Sequence, residues 1–250
     1  PEGCVVNAKF PAPVFWRLTS GMLIVDLMFQ TLGQIAPDRV PAQSGSVPTW
    51  QFYFWGRRQS GETFILHQHA FGGMGGRPGK DGLAAISFPY NVREVSVEGC
   101  EIEAPMLVER RQLIPDSGGA GQWRGGLGEE FTIRAAPGSD VDLAKPVVYA
   151  GAAGRLANPA EGMLGGHPGA IARIMLDDQA VDPAVVGNSP ELKFTTETLT
   201  LRLPGGGGYG DPRRRDPALV EWDLKNGYVT PEAAREVYGF AGDRESETAG

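Results

Sequence analysis

Glycine is concentrated in three short stretches, and this feature most restricts how the chain can fold. The 250 residues include 36 Gly and 20 Pro, together about twice their share in average proteins. The glycines are densest in residues 72–82, 115–128 and 205–210. Glycine needs no room for a side chain and readily adopts positive φ. The three stretches therefore predict either tight turns or places where something approaches the backbone closely.

The rest of the composition is that of a folded protein. Hydrophobic residues make up 41% of the sequence, and the glycines follow no collagen-like period. The net charge of −7 argues against nucleic acid or a membrane surface as a default partner. The sequence has no run of 18 apolar residues and no signal-peptide pattern, so we expect a cytoplasmic protein. Its two cysteines are too few for a disulfide framework.

The order of predicted elements favours an α+β fold with a β-rich middle. Apolar residues spaced by three or four predict one long N-terminal helix over residues 15–35. Strands are predicted over residues 50–57, 62–71, 131–135, 147–150, 171–176 and 192–203, and strands or short extended pieces over residues 84–88, 92–98 and 109–113. Two short C-terminal helices follow, because Asp216 and Thr230 can each cap a helix with Pro at its first position.

This order suggests three parts. Residues 1–104 are expected to form an α/β segment that carries the glycine-rich loop 72–82. Residues 105–240 are expected to form a β-rich domain that ends in the two short helices. Residues 241–250 are polar and charged, and such a segment buries too little apolar surface to fold, so a disordered tail is expected there.

A pair of histidines next to the first glycine stretch is the strongest chemical signal. His67 and His69 lie two apart on a predicted strand, so their side chains point to the same face. They can supply two nitrogens to a metal, but a catalytic zinc site needs three protein ligands. Histidines half-buried beside a ligand pocket are the favoured interpretation. Asp81 is the nearest carboxylate that the loop 72–82 can fold back towards them.

We therefore predict a pocket built on the loop 72–82, with His67, His69 and Asp81 as its catalytic residues. Either imidazole can act as a general acid or base near neutral pH. The backbone N–H groups of a glycine loop can hold an oxyanion or a phosphate. The predicted substrate contacts are Gly72, Gly73, Gly75, Gly76, Ser87, Phe88 and Asn91.

Two other motifs favour structure over chemistry. Residues 205–210 satisfy G-x-G-x-x-G, but Pro212 and Pro217 prevent a helix from opening directly from that loop. A turn that lets two backbones touch is the better interpretation. Ser117, in Asp116-Ser117-Gly-Gly, is more typical of a residue that bonds the turn backbone than of a nucleophile. The sequence also contains no G-x-x-x-x-G-K-[ST] phosphate loop.

Six segments resemble the hydantoinase B/oxoprolinase family, the B subunit of N-methylhydantoinase-type enzymes. They are PEGCVVNAKFPAPVFWR at 1–17, FGGMGGRPGKDG at 71–82, DSGGAGQWRGGLG at 116–128, GGGGYGDP at 205–212, RDPALVEWDLKNG at 215–227 and YVTPEAAREVYG at 228–239. They occur in the family's order and cover nearly all of residues 1–240. Family B subunits are much longer than this chain, so the resemblance is to their C-terminal half only.

The resemblance implies a component of an ATP-dependent complex. An ATP-binding hydantoinase A-type subunit, with ATP and Mg, would phosphorylate a carbonyl or enolate oxygen of a small-molecule substrate. The family's divalent metal, such as Zn or Mn, is bound by Asp and His residues of the N-terminal half. No metal ligand is therefore carried over to this sequence. The expected partners are the A-type subunit and a chain or segment that supplies the N-terminal half.

The resemblance leaves the reaction open. Family members open cyclic amides such as hydantoins, lactams and 5-oxoproline, or carboxylate ketones such as acetone and acetophenone. Amide hydrolysis is the preferred expectation, and a subunit of a ketone carboxylase is the alternative. A second alternative is a non-catalytic assembly module whose residues after 109 bind the partner chains. An independent metal-binding or nucleotide-binding protein is the third.

Overall fold

Helices flank a β-rich middle in the computed structural model, which describes residues 1–4, 6–12, 14, 17–48, 50–188 and 191–241. The α+β class is therefore as predicted. The elements are α1 (Arg17–Gly33), β1 (Trp50–Arg57), β2 (Thr63–Ala70), α2 (Val97–Glu103), β3 (Met106–Leu113), β4 (Glu129–Ala135), β5 (Val147–Ala152), β6 (Arg173–Leu176), β7 (Gln179–Ala180), α3 (Pro183–Asn188), β8 (Glu191–Phe194), β9 (Leu199–Arg202), α4 (Pro217–Lys225) and α5 (Pro231–Glu236). All of the predicted tail except its first residue lies outside the described residues.

The strands form two antiparallel sheets with one apolar core between them. One sheet has the order β2-β1-β5-β8 and the other the order β3-β4-β9-β6-β7. Alternate residues of β1 are buried, as expected for a sheet with one face towards the core. Phe52 of β1 packs against Phe131 of β4, with 5.9 Å between ring centroids. Strands from both sides of residue 104 share one core, so that core crosses the predicted boundary at 104/105.

Three strand predictions are wrong. Residues 84–88 form no strand, and the predicted strand 92–98 is irregular chain that runs into α2. The helix begins there because Ser96 Oγ accepts a hydrogen bond from a backbone N–H in its first turn at 3.1 Å. The predicted strand 192–203 is two strands in different sheets. They are separated by a bend in which the Glu197 carboxylate accepts neighbouring backbone N–H groups at 2.7 and 3.0 Å.

The glycine-dense stretches meet in the interior as a set of hydrogen-bonded extended segments, here called the glycine bundle. Its segments are residues 42–46, 72–76, 82–86, 117–128, 160–170 and 204–210. The Gly206 N–H donates to the Gly126 carbonyl at 3.0 Å, and the Gly76 N–H donates to the Gly207 carbonyl at 2.8 Å. Such bonds between segments satisfy buried backbone groups where no strand ladder is available.

Close contact between backbones is the reason for glycine in this bundle. A Cβ added to Gly73 would lie 1.8 Å from the Gly126 carbonyl oxygen, and one added to Gly205 would lie 1.7 Å from the Ser117 carbonyl oxygen. Within residues 72–82, only Gly79 has a positive φ. Of the two sequence predictions, close approach therefore explains this stretch better than turns do, and what approaches is the protein's own backbone.

The two C-terminal helices begin as predicted. The Asp216 carboxylate caps α4 by accepting a backbone N–H at 3.0 Å, and Thr230 Oγ1 caps α5 in the same way at 3.2 Å. The first residue of each helix is a proline, Pro217 in α4 and Pro231 in α5. Within the described part of the chain, no helix is both long enough and apolar enough to cross a membrane.

Candidate functional site

The two predicted histidines lie side by side on the outer face of the first sheet. His67 and His69 are half-buried on β2, and their ring centroids are 4.7 Å apart. We call them the imidazole pair. Tyr53 lies directly opposite His67 on β1, and the two rings stack at 4.5 Å. Gln51 Nε2 lies 2.9 Å from His67 Nε2, so this amide can orient the imidazole.

The surroundings of the imidazole pair favour neutral rings. Burial lowers the pKa of His67, and the charge of Glu103 only partly opposes this effect. Burial also lowers the pKa of His69, and the neighbouring His67 lowers it further. A neutral imidazole has a free nitrogen lone pair, so it can accept a proton or bind a metal. The pair is therefore suited to general-base chemistry at neutral pH.

The imidazole pair does not make a metal site by itself. Across the residues that the structure describes, no group of three or more His, Cys, Asp or Glu side chains is placed to hold a metal ion. The described residues therefore do not fit the divalent metal that the resemblance implies, and we derive no step through a metal on this chain.

Asp81 is half-buried and takes part in an ion-pair network whose other members are buried. Its two carboxylate oxygens accept hydrogen bonds from the Arg215 guanidinium at 2.7 and 2.8 Å. Arg215 also donates to Asp223 of α4 at 2.7 Å, and Arg124 pairs with Asp223 at 3.2 Å. We call these four residues the arginine–aspartate network. The network fastens α4 to the glycine bundle, which gives Asp81 a structural role that the sequence prediction did not foresee.

The four glycines predicted as substrate contacts are part of the glycine bundle. Gly72, Gly73, Gly75 and Gly76 are all buried. The space that a Cβ would occupy at each of them is taken by backbone atoms of other segments. The predicted pocket over this loop is therefore filled by the chain itself, and these glycines serve packing.

The other three predicted contacts lie on the irregular chain that follows the loop. Phe88 is half-buried and stacks on Phe29 of α1 with 6.1 Å between ring centroids. Ser87 Oγ accepts the Val92 N–H at 3.4 Å, which is a long hydrogen bond. Asn91 is exposed. These side chains remain candidates for contact with a ligand, whereas the glycines before them do not.

The Asp116-Ser117 pair is structural, as the sequence analysis favoured. Ser117 Oγ donates to the Ile114 carbonyl at 2.6 Å and accepts the Gly128 N–H at 2.9 Å. The Asp116 carboxylate accepts the Thr230 N–H at 2.9 Å. The serine hydroxyl thus closes the turn between β3 and β4, and the aspartate ties that turn to the start of α5.

Sequence reasoning missed a pair of carboxylates, one buried and one half-buried, that one arginine holds. Arg111 of β3 donates to Glu129 of β4 at 3.0 Å and also pairs with Glu94. Burial, reinforced by the charge of Glu94, raises the pKa of Glu129 to about 8. Burial raises the pKa of Glu94 as well. One arginine cannot balance two carboxylates, so the pair retains a proton at neutral pH. No local motif marks this site, because its residues lie far apart in sequence.

This chain is similar to longer subunits of a caprolactamase and of an acetophenone carboxylase. The beta subunit of a caprolactamase from Pseudomonas jessenii is 30% identical over 97% of this chain and 42% of its own length. The crystal structure of the ATP-dependent caprolactamase from that organism superposes with a TM-score of 0.74 at 25% identity, covering 99% of this chain and 43% of that chain. The delta subunit of an acetophenone carboxylase from Aromatoleum aromaticum is 30% identical over 73% of this chain and 31% of its own length.

The chain belongs to the hydantoinase B/oxoprolinase family, whose model matches residues 1–212. A Pseudomonas sp. (strain NS671) protein, provisionally named as the B subunit of a D-/L-hydantoinase, is 31% identical over 96% of this chain and 39% of its own length. The resemblance stated from the sequence is therefore confirmed. The chain spans about two fifths of the length of these relatives.

Proposed function

We propose that this chain is part of the B subunit of an ATP-dependent hydantoinase/oxoprolinase-type amidohydrolase that opens cyclic amides. The single observation that carries this proposal is the superposition of almost the whole chain on the caprolactamase structure, at a TM-score of 0.74. A second relative is, by its provisional name, part of a D-/L-hydantoinase. Both names describe hydrolysis of a cyclic amide, so this substrate class is preferred.

The proposed reaction divides its chemistry between polypeptides. An A-type subunit holds ATP with Mg and transfers the γ-phosphoryl group to the amide oxygen of the substrate. Water then attacks the carbon that carries the phosphorylated oxygen, and the ring C–N bond breaks as the nitrogen takes up a proton. A second water hydrolyses the resulting acyl phosphate to the carboxylate and phosphate. Phosphorylation helps because it makes the amide carbon more electrophilic and turns the carbonyl oxygen into a good leaving group. The divalent metal, such as Zn or Mn, belongs in this proposal to the N-terminal half of the B subunit. The present sequence lacks a phosphate loop, which is compatible with this division.

The proposed contribution of this chain to the active site is the imidazole pair. Because burial keeps the pKa of His67 and His69 low, either ring can accept a proton from an attacking water and return it to the leaving nitrogen. Tyr53 and Gln51 act as positioning residues, since one stacks on His67 and the other lies within hydrogen-bonding distance of it. Ser87, Phe88 and Asn91 supply further contacts in this proposal.

Reconstitution with the A-type subunit and the rest of the B subunit tests the proposal. Release of ADP should require a cyclic amide, and the ring-opened product should form with it. The ring that transfers the proton is the one whose variant, His67→Ala or His69→Ala, lowers kcat by about a hundredfold, the usual contribution of general acid–base catalysis. Ile65→Ala changes an exposed residue of the same strand and is the matched control.

Two results would contradict parts of the proposal. If the complex assembles and both histidine variants keep wild-type turnover, the imidazole pair has no catalytic role and the chain serves assembly alone. If ATP is consumed only when a ketone and bicarbonate are supplied, the chain belongs to a carboxylase. The similarity to the acetophenone carboxylase delta subunit makes this the second candidate function.

A further inference from the structure

Helix α1 carries an apolar surface that the described chain leaves uncovered. Asp26 is the only charged residue between positions 18 and 33, and it is buried. Large apolar side chains lie on the exposed part of the helix, among them Leu27, 61% exposed, and Met28, 56% exposed. Surface helices of globular proteins usually carry charged residues on their outer side. The exposed apolar residues are Leu23, Ile24, Leu27, Met28, Leu32 and, just beyond the helix, Ile35, here called the α1 surface.

A rigid anchor on the opposite side of the helix holds the α1 surface outward. The Asp26 carboxylate accepts a hydrogen bond from the Arg155 guanidinium at 2.9 Å. The same guanidinium donates to the Val47 carbonyl at 2.7 Å, and Met22, one turn before Asp26, is fully buried. Phe29, which lies nearly one helical turn after Asp26, stacks on Phe88. The helix cannot roll inward to hide its apolar residues without breaking these contacts.

The relatives indicate what covers this surface. The caprolactamase structure contains the same fold over 99% of this chain, yet this alignment accounts for only 43% of that chain. In that protein the fold therefore shares one polypeptide with a larger additional part. A contiguous exposed apolar surface of this kind is typical of a protein–protein contact.

We propose that the α1 surface is the docking site for a polypeptide equivalent to the remaining part of the caprolactamase chain. This inference rests on the proposed function, because it names the surface through which the two parts of the B subunit assemble. The partner must present a complementary apolar surface without charge at its centre, since the α1 surface has no exposed charge that could balance one.

Co-expression tests the proposal. The 250-residue chain is tagged and produced together with a separate polypeptide from the same genome that matches the remaining length of the relatives, whether or not the two are naturally one chain. The complex is purified without ATP, A-type subunit or substrate. Its stoichiometry is measured by analytical ultracentrifugation, and α1 is followed by hydrogen exchange. We expect a one-to-one complex in which the amides of α1 become protected.

Leu27→Glu and Met28→Glu should each weaken the complex at least about tenfold, because a buried charge would be left unpaired in the contact. Ile102→Glu, at an 85% exposed residue of α2, makes the same change elsewhere and should leave binding unchanged. Circular dichroism of the variants checks that each is folded. The binding measurement does not require catalytic turnover. A complex that depends on Leu27 but is catalytically inactive would therefore contradict the proposed function and leave this inference intact.

Three outcomes would overturn the inference. The first is that the folded wild-type chain does not bind the other polypeptide. The second is that both glutamate variants bind as tightly as wild type, or that Ile102→Glu weakens binding equally. The third is that the wild-type chain alone forms a dimer that Leu27→Glu disperses, which would make a second copy the occupant of the α1 surface.

Discussion

Replacing Gly73 by alanine tests whether close packing of backbones holds the interior together. The added Cβ would lie 1.8 Å from the Gly126 carbonyl oxygen and 2.8 Å from the Gly206 backbone nitrogen. These contacts are with backbone atoms, which cannot rotate away as a side chain can. The segments would have to separate by more than about 1 Å, judged from a normal carbon–oxygen contact of about 3.3 Å or more.

The size of the effect follows from what such a separation breaks. Overpacking a core by one carbon costs about 1–3 kcal/mol. The Gly126 N–H to Met74 carbonyl bond of 2.8 Å and the Gly206 N–H to Gly126 carbonyl bond of 3.0 Å would also be stretched, at about 1 kcal/mol each. We expect Gly73→Ala to lower the free energy of unfolding by about 3–5 kcal/mol. For a chain of this size this corresponds to a Tm lower by about 6–20 °C.

Urea denaturation followed by circular dichroism measures this change. Gly99→Ala is the matched control, because Gly99 lies in α2 and a Cβ there would meet only the side chains of Val95 and Ser96. We expect the control to stay within about 1 kcal/mol of wild type, since alanine is also a better helix former than glycine. The reasoning is refuted if Gly73→Ala loses less than about 1 kcal/mol or no more than Gly99→Ala.

Two further predictions concern buried charges. Asp223→Asn should lower the free energy of unfolding by about 3–5 kcal/mol, because the buried Arg215 guanidinium loses one of its two carboxylate partners. Urea denaturation measures this loss. The control is Glu232→Gln, in an exposed ion pair, which should change the free energy of unfolding by less than about 1 kcal/mol. The second concerns Glu129, whose folded pKa of about 8 exceeds the ordinary value of 4.5. The folded state therefore binds more protons between these values, and stability falls as pH rises through them, by at most about 1.4 kcal/mol per pH unit. Glu129→Gln should flatten this slope in urea midpoints measured across that interval, and an unchanged slope would show that Glu129 is not its source.

Local patterns predicted much of the fold because they depend only on neighbouring residues. The strand predicted over residues 50–57 has those bounds in the structure, and the prediction rested on the high proportion of aromatic residues, which favour strands. The caps at Asp216 and Thr230 were found for the same reason. The period of two also placed His67 and His69 on one face. The segments 84–88 and 92–98 are not strands because neither of them pairs with a strand of the two sheets.

Distant contacts account for the part of the site that the sequence could not reveal. Asp81 was predicted to lie near the imidazole pair because it is close in sequence, yet its partner Arg215 is 134 positions away. Glu94, Arg111 and Glu129 likewise come together from separate segments. The glycine density signalled close contact, but which backbones touch depends on how the segments of the bundle assemble. No periodicity encodes such pairings.

The glycine bundle also has a consequence for the order in which the chain acquires its structure. Its segments are drawn from residues 42 to 210, and a glycine-rich segment gives up more conformational freedom on ordering than any other kind of chain. No single segment gains its full set of partners until the others have arrived, so early nucleation there is unfavourable. We expect the hairpin of β1 and β2, whose contacts are local, to form first and the bundle to close last. Folding should therefore be slow for a chain of this length, as is usual where distant contacts dominate.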